Sequence, residues 1–271
     1  MFQNLRKSKK LLLIAMACAT FAIAGCGSDT TKNAADNGKS VTWSETFDGT
    51  KTDFAVKSSP THAVSMSQAT TEMMLQLGLE DKMAGTAFKE EEIYPPLQAA
   101  YDKVKVLSDK WPSYEVFMSV KPDFATGWPD SFSKRAIPAD KMIAQKVNIW
   151  LPESMLSTKA DLETNFNDMI KLGEIFGVKS KAEEWVAGQR KTLAAIQDKL
   201  KDLPRKRVFI YDSEDGQPFT AFEGYTTNIL KLIGADNVMS GLGVDKTWAK
   251  GSWETVIAQN PDYIIIADYG T

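Results

Sequence analysis

The side chains able to do chemistry in this sequence are few, and their scarcity excludes most of it. His62 is the one histidine in 271 residues. Capture of a bare zinc or manganese ion needs several imidazole and carboxylate ligands converging, so a naked-metal site is not supported. His62, at the start of a predicted buried strand, reads as structural. No G-x-S-x-G elbow accompanies the serines, which leaves a Ser–His–Asp hydrolase without its turn and short of bases. Neither a P-loop nor a G-x-G-x-x-G fingerprint occurs, since Gly241-Leu242-Gly243 lacks the third glycine. A hydrolase working through a carboxylate pair stays open and would show turnover. A surface adhesin stays open too and would lack an enclosed aromatic cleft. With 32 Lys+Arg against 35 Asp+Glu, the net charge of -3 carries no basic excess for nucleic acid.

Two glutamates stand out by context rather than type. Ser113-Tyr114-Glu115 is followed after six residues by Pro122-Asp123-Phe124, and Ser252-Trp253-Glu254 after six by Pro261-Asp262-Tyr263. Upstream, Thr70-Thr71 precedes Gly78 and Thr226-Thr227 precedes Gly234 with the same spacing of six. Two motifs recurring in one order predict two lobes built on one plan. In each, a short strand (63–66 or 208–211) leads to a helix that begins near the threonines and ends at the glycine. The serine then caps a short helix with glutamate in its first turn, and proline stops it before a strand (124–127 or 263–267). Strands alternating with helices of this length predict βα units and parallel sheets.

Between the copies, Trp185, Leu193, Ile196, Leu200 and Leu203 recur at helical offsets. They predict a long helix over 181–203, ended by Pro204, in a linking segment 179–204. A preceding helix over 159–176 closes at Gly177. The lobes then span 43–178 and 205–271, and a second lobe matching the first predicts further helix and strand after Thr271.

The first residues read as an address. Arg6, Lys7, Lys9 and Lys10 precede an apolar run over 11–23 that is too short to span a bilayer stably. Ile23-Ala24-Gly25-Cys26 has the form of a bacterial lipobox, so 1–25 is predicted to be a signal peptide and Cys26 the lipidated mature N-terminus. Residues 26–42 are mostly small and polar and read as a flexible tether. The other cysteine, Cys18, leaves with the signal, so no disulfide is predicted.

The stretches HAVSMSQATTEMMLQLGL, SYEVFMSVKPDFATGW, RKRVFIYDSEDGQPFT and WAKGSWETVIAQNPDYIIIADYG resemble the substrate-binding proteins of ABC importers for iron-siderophores, haem and cobalamin. The resemblance runs from about residue 60 to 270. It implies an α/β fold of two doubly wound parallel-sheet lobes joined by one long helix, with a ligand cleft between them. It implies a monomeric carrier at the extracytoplasmic cell envelope, not an enzyme, with no cofactor. Its partners would be a metal chelate, a permease with its ATPase subunit, and the membrane that holds its lipid. Family docking glutamates fall on Glu115 and Glu254, the pair the duplication also selects. Matching to cobalamin-binding members puts Trp128, Phe219 and Trp248 at aromatic cleft positions, with Phe88, Trp111, Phe132 and Tyr225 in nearby loops. Ser67, Gln68, Trp128, Asp268 and Tyr269 lie just past predicted strand ends, where such a cleft opens. Ser-Tyr-Glu stands in the first lobe where Asn-Leu-Glu is frequent. Arg135 is the one arginine near that lobe's pocket loops, which weighs against a catecholate chelate and leaves a hydroxamate, a corrinoid or haem open.

Overall fold

A computed structural model describes residues 40–268. The predicted signal peptide, Cys26 and Tyr269 lie outside the described residues. The described part of the chain begins with a hairpin, β1 (Val41–Phe47) and β2 (Thr50–Val56), then runs β3 (Ala63–Ser65), α1 (Gln68–Gln76), β4 (Met83–Ala87), α2 (Gln98–Tyr101) and β5 (Val106–Ser108). The first lobe continues with α3 (Tyr114–Ser119), β6 (Phe124–Thr126), α4 (Ala139–Ala144), β7 (Asn148–Trp150) and α5 (Leu162–Ile175). The long helix α6 (Lys179–Leu200) leads to β8 (Lys206–Tyr211), β9 (Ser213–Glu214), β10 (Pro218–Ala221), α7 (Tyr225–Leu232) and β11 (Ala235–Asn237). Last come β12 (Trp248–Lys250), α8 (Trp253–Gln259) and β13 (Tyr263–Ile266).

The first lobe is a parallel sheet in the order β5-β4-β3-β6-β7. Successive side chains of a strand point to opposite faces, so a parallel strand covered on both sides must be apolar throughout. Phe124 and Trp150 therefore join Met74, Phe166 and Leu172 on one face, while Val64, Ala125 and Ile149 join Phe117 and Met142 on the other. The chain turns left and right from the centre of this sheet, and the switch lies between β3 and β6. There the strand ends approach so closely that a Cβ on Gly127 would lie 3.0 Å from Met66 Cβ and from Ser131 Oγ. In the second lobe β11-β8-β13 are parallel, and a small antiparallel sheet, β12-β10-β9, is added at its carboxyl edge.

The repeated motifs do the same physical work in both lobes. Thr71 Oγ1 donates to Ser65 Oγ and Ser67 O (both 2.8 Å), and Thr227 Oγ1 donates to Phe222 O (2.9 Å), so each threonine ties its helix back to the strand–helix loop. Gly78 and Gly234, both at positive φ, follow the ends of these helices. Ser113 and Ser252 accept from Val116 N (3.3 Å) and Thr255 N (3.1 Å) as helix caps. The aspartate of each P-D-aromatic triplet clips back to the start of the neighbouring parallel strand, β3 or β8. Asp123 accepts from Thr61 N, Thr61 Oγ1 and His62 N at 2.8, 3.1 and 3.0 Å, and Asp262 from Arg207 N at 2.9 Å.

Several expectations are corrected. The tether was predicted to run to residue 42, but β1 begins at Val41. Asp48 and Gly49, both at positive φ, make the two-residue turn between β1 and β2, as twisted hairpins require. Trp43 anchors this hairpin on the lobe through Nε1 to Ile149 O at 2.7 Å. His62 is exposed and precedes β3 rather than lying within it. Phe132 is not a cleft residue: it is 3% exposed and packs on Phe47 of the hairpin, 6.3 Å between centroids. The long helix starts two residues before the predicted 181 and ends three before 203, and of its residues only Ala182 and Val186 are buried. Ile196 and Leu203 of its predicted stripe are 41% and 59% exposed. Tyr263, Ile264, Ile265 and Ile266 of β13 are likewise exposed.

The two aspartate clips differ in bond count, and stability should follow the difference. Asp123→Ala removes three accepted bonds, at about 0.5–1.5 kcal/mol each before exposure is discounted, and should lower stability by roughly 1–3 kcal/mol. Melting temperature should fall by about 2–4 °C per kcal/mol. Asp262→Ala should cost less, as calorimetry on both variants would show; the reverse order would contradict the assignment.

Candidate functional site

Ligands in open α/β sheets bind past the carboxyl ends of the strands, at the switch point. Trp128 lies two residues past the end of β6, and Asp212 immediately past the end of β8. Both line one cavity of about 590 Å3, together with Phe88, Glu90, Trp111, Pro129 and Asp130 of the first lobe and Phe219 and Trp248 of the second. The structure thus brings together Trp128, Phe219, Trp248, Phe88 and Trp111. Tyr225 lines an adjoining cavity of about 510 Å3 that shares Trp128 and Trp248 and reaches Met73, Ser154, Asn165 and Glu223.

Each lobe presents one stacked ring pair to the aromatic cavity. Phe88 lies on Trp111 with centroids 4.7 Å apart and planes at 25°; Phe219 lies on Trp248 at 6.2 Å and 19°. The second pair follows from register: Trp248 and Phe219 stand on neighbouring strands, β12 pairing with β10 as Ala221↔Trp248 and Phe219↔Lys250. The first pair needs a backbone exception. Phe88 sits at φ 60°, a conformation that is uncommon without glycine, and its ring stacks on Trp111. Trp111 is in turn fixed by Nε1 to Met66 O at 3.1 Å. Rings held this way offer flat apolar area with little motion left to freeze on binding.

Of the residues that shape the site, Gln68 was expected from its place past a strand end, whereas Glu90 was not singled out by the sequence. Gln68, the first residue of α1, accepts from Glu90 N (2.9 Å) and Glu91 N (2.8 Å), and its Nε2 donates to Glu92 O (3.2 Å) and Glu72 Oε1 (2.9 Å). It pins the loop that carries Phe88 and Glu90. Trp128 Nε1 donates to Glu90 Oε2 at 3.4 Å. Partial burial raises the Glu90 carboxyl above its ordinary range, opposed by that indole and by the Lys110 ammonium.

Two buried carboxylates hold backbone near the adjoining cavity, which Ser154 lines. Asp168 accepts from Glu153 N and Ser154 N, both at 2.9 Å, and Glu45 of the hairpin accepts from Leu151 N at 3.0 Å. Burial raises both carboxyls, that of Glu45 to about 7. Tyr225 is raised by burial and then by the charge of Asp168. Across the lobes, Asn228 Nδ2 donates to Ala160 O at 2.8 Å.

Glu115 and Glu254 are exposed, each in the first turn of its short helix. Tyr114 and Trp253 beside them pack at the margin of their lobes' cores. The Glu115 carboxyl is held below its ordinary range by backbone hydrogen bonding and the Ser113 hydroxyl. Ser67 is buried in its cap network and Asp268 is exposed; neither lines the aromatic cavity. A larger depression of about 700 Å3, between α1, the 94–97 turn, α5 and α6, belongs to one lobe and the long helix and has no stacked ring pair. Among the described residues no group of three or more His, Cys, Asp or Glu is placed to hold a metal ion, and no helix is long and apolar enough to cross a membrane.

The sequence pattern of the periplasmic binding protein family matches residues 64–270. The chain belongs to the periplasmic binding protein family. A crystal structure of a family member from Veillonella parvula dsm 2008 is 96% identical, with TM-score 0.85 over 86% of this chain and 79% of that one. The uncharacterized ABC transporter substrate-binding lipoprotein YvrC of Bacillus subtilis (strain 168) is 27% identical across 97% of this chain and 82% of its own length. A vitamin B12-binding protein of Yersinia pestis (strain Pestoides F) is 23% identical across 75% and 68%. The two-lobed α/β architecture of this periplasmic binding protein is the one its sequence resemblance implied.

Glu45 makes the stability of this scaffold pH-dependent. Its folded pKa of about 7 lies above its ordinary value, so the folded protein holds a proton that the unfolded chain has lost, and stability falls as pH rises from about 4.5 to 7. Allowing for residual water, ionised Glu45 should cost on the order of 1–2 kcal/mol. Glu45→Gln keeps the Leu151 acceptor and should raise stability at pH 8 by that amount while flattening the slope between pH 5 and 8. Denaturant unfolding across that range checks it; a less stable variant at pH 8 would contradict it.

Proposed function

We propose that this chain is the extracytoplasmic substrate-binding lipoprotein of an ABC importer, capturing a metal chelate such as a ferric hydroxamate, a corrinoid or haem. The observation that carries this reading is the aromatic cavity, walled by one stacked ring pair from each lobe of a periplasmic binding protein. A large, partly apolar, rigid ligand suits it. The similarity to YvrC, an ABC transporter substrate-binding lipoprotein, and to the vitamin B12-binding protein of Yersinia supports the same class.

In this reading Cys26 carries the lipid and residues 26–42 include the tether to the membrane. The chelate enters past Trp128, Phe219 and Trp248, with Phe88 and Trp111 opposite and Tyr225 behind. Glu115 and Glu254, one per lobe, then dock the loaded carrier on the permease, and ATP hydrolysis by a separate subunit drives release. One carrier molecule binds one chelate and returns it unchanged. A carboxylate-pair hydrolase gains no support from the family match or from the relatives, which are binding proteins.

Titration followed by tryptophan quenching tests the assignment. One ring withdraws roughly 100 Å2 of contact, about 2.5 kcal/mol, so Trp248→Ala or Phe219→Ala should weaken a bound chelate tenfold to a hundredfold. Melting temperature should change by only a few degrees. Unaltered affinity in both variants would place the ligand elsewhere. For docking, Glu115→Lys and Glu254→Lys should each cut uptake in a reconstituted transporter at least about tenfold, with chelate affinity unchanged. A parallel fall in affinity would remove the docking assignment.

A further inference from the structure

The rings of the aromatic cavity set what shape it takes, and its charged groups set what charge it takes. Glu90, Asp130 and Asp212 line it, and among the described residues no lysine or arginine does. The cations nearby are engaged. Arg135 is paired with Asp130, the Lys110 ammonium lies over the Phe88 ring at 5.2 Å, and Lys250 bonds Asp215 at 2.8 Å. Asp212 accepts from the Ser213 hydroxyl at 2.9 Å.

Glu90 is held by its surroundings on two sides. Gln68 pins its backbone and that of Glu91, and the Trp128 indole reaches its carboxylate. Its oxygens therefore stand beside a ring that faces any ligand in the cavity. A carboxylate fixed at such a wall repels a carboxylate or catecholate edge and accepts from an amide or ammonium edge, more strongly where rings exclude water.

We propose that Glu90 makes this cavity selective for chelates that are neutral or cationic and edged with hydrogen-bond donors, against chelates that carry free carboxylate or catecholate charge. The proposal rests on the chelate-binding reading of the cavity. Gln68 acts as a positioning residue that keeps the selecting carboxylate and the Phe88 ring in place together.

The test is a titration of the folded protein with four probes under one low-salt buffer. They are cyanocobalamin (neutral and amide-edged), ferrioxamine B (a cationic hydroxamate), haemin (two carboxylates) and a ferric tris-catecholate (a trianion). The tighter of the first two should bind at least about tenfold more tightly than either anionic probe. Glu90→Gln should narrow that ratio at least about threefold, mainly by tightening the anions. Gln68→Ala should weaken the preferred probe and also narrow the ratio, whereas loss of bulk packing alone would weaken all probes in proportion. Should a variant fail to fold, raising salt on the parent protein from about 50 to 500 mM should shrink the same ratio by screening. Tightest binding by haemin or the tris-catecholate, or a ratio indifferent to both salt and Glu90, would overturn the selectivity while leaving the chelate reading intact. Failure of every probe to bind would overturn both.

Discussion

A parallel strand cannot be followed by a tight turn into its neighbour, so the chain must cross over the sheet and return. Where successive crossovers leave in opposite directions, the carboxyl ends of two central strands stand uncovered. In the first lobe that gap lies between β3 and β6, where Gly127 permits the close approach of Met66 and Ser131. Trp128 leaves from it. The second lobe has its own uncovered edge past β8, and the strand pair β10–β12 set there carries Phe219 and Trp248. Phe88 and Trp111 likewise stand past the carboxyl ends of β4 and β5.

Around that requirement the two lobes repeat three small devices: a threonine that ties helix to loop, a serine that caps the short helix, and an aspartate that clips back to the start of the neighbouring parallel strand. None of them touches the cavity. They fix where each short helix begins, and so hold Glu115 and Glu254 exposed in equivalent settings. The lobes differ where function asks it. The first positions Phe88 and Glu90 on a loop pinned by Gln68; the second presents its rings on a small antiparallel sheet.

Much of this was legible because repetition converts weak local signals into a strong one. The serine caps and threonine starts are read directly from residue type and spacing. Other features were legible and passed over. Asp48-Gly49 between two alternating runs is a hairpin signal, and Trp43 and Phe54 show which face that hairpin buries. Phe132 misled because a loop position next to Trp128 says nothing of direction, and only the hairpin's Phe47 shows that it turns inward. The apolar spacing of the long helix marks a helix correctly but does not say what covers it, and Ile196 stays exposed. The clamp of Gln68 on residues 90–92 joins segments more than twenty positions apart, a pairing that no local pattern encodes.

The account stands on a guest held between the two ring pairs. Anomalous diffraction from crystals grown with a metal chelate measures this directly, because the metal marks the guest's centre whatever the ligand's disorder. The metal is predicted to lie in the cavity bounded by Trp128, Phe219 and Trp248, facing Phe88 and Trp111. A metal found instead in the depression between α1, α5 and α6, or on the outer surface of either lobe, would contradict it.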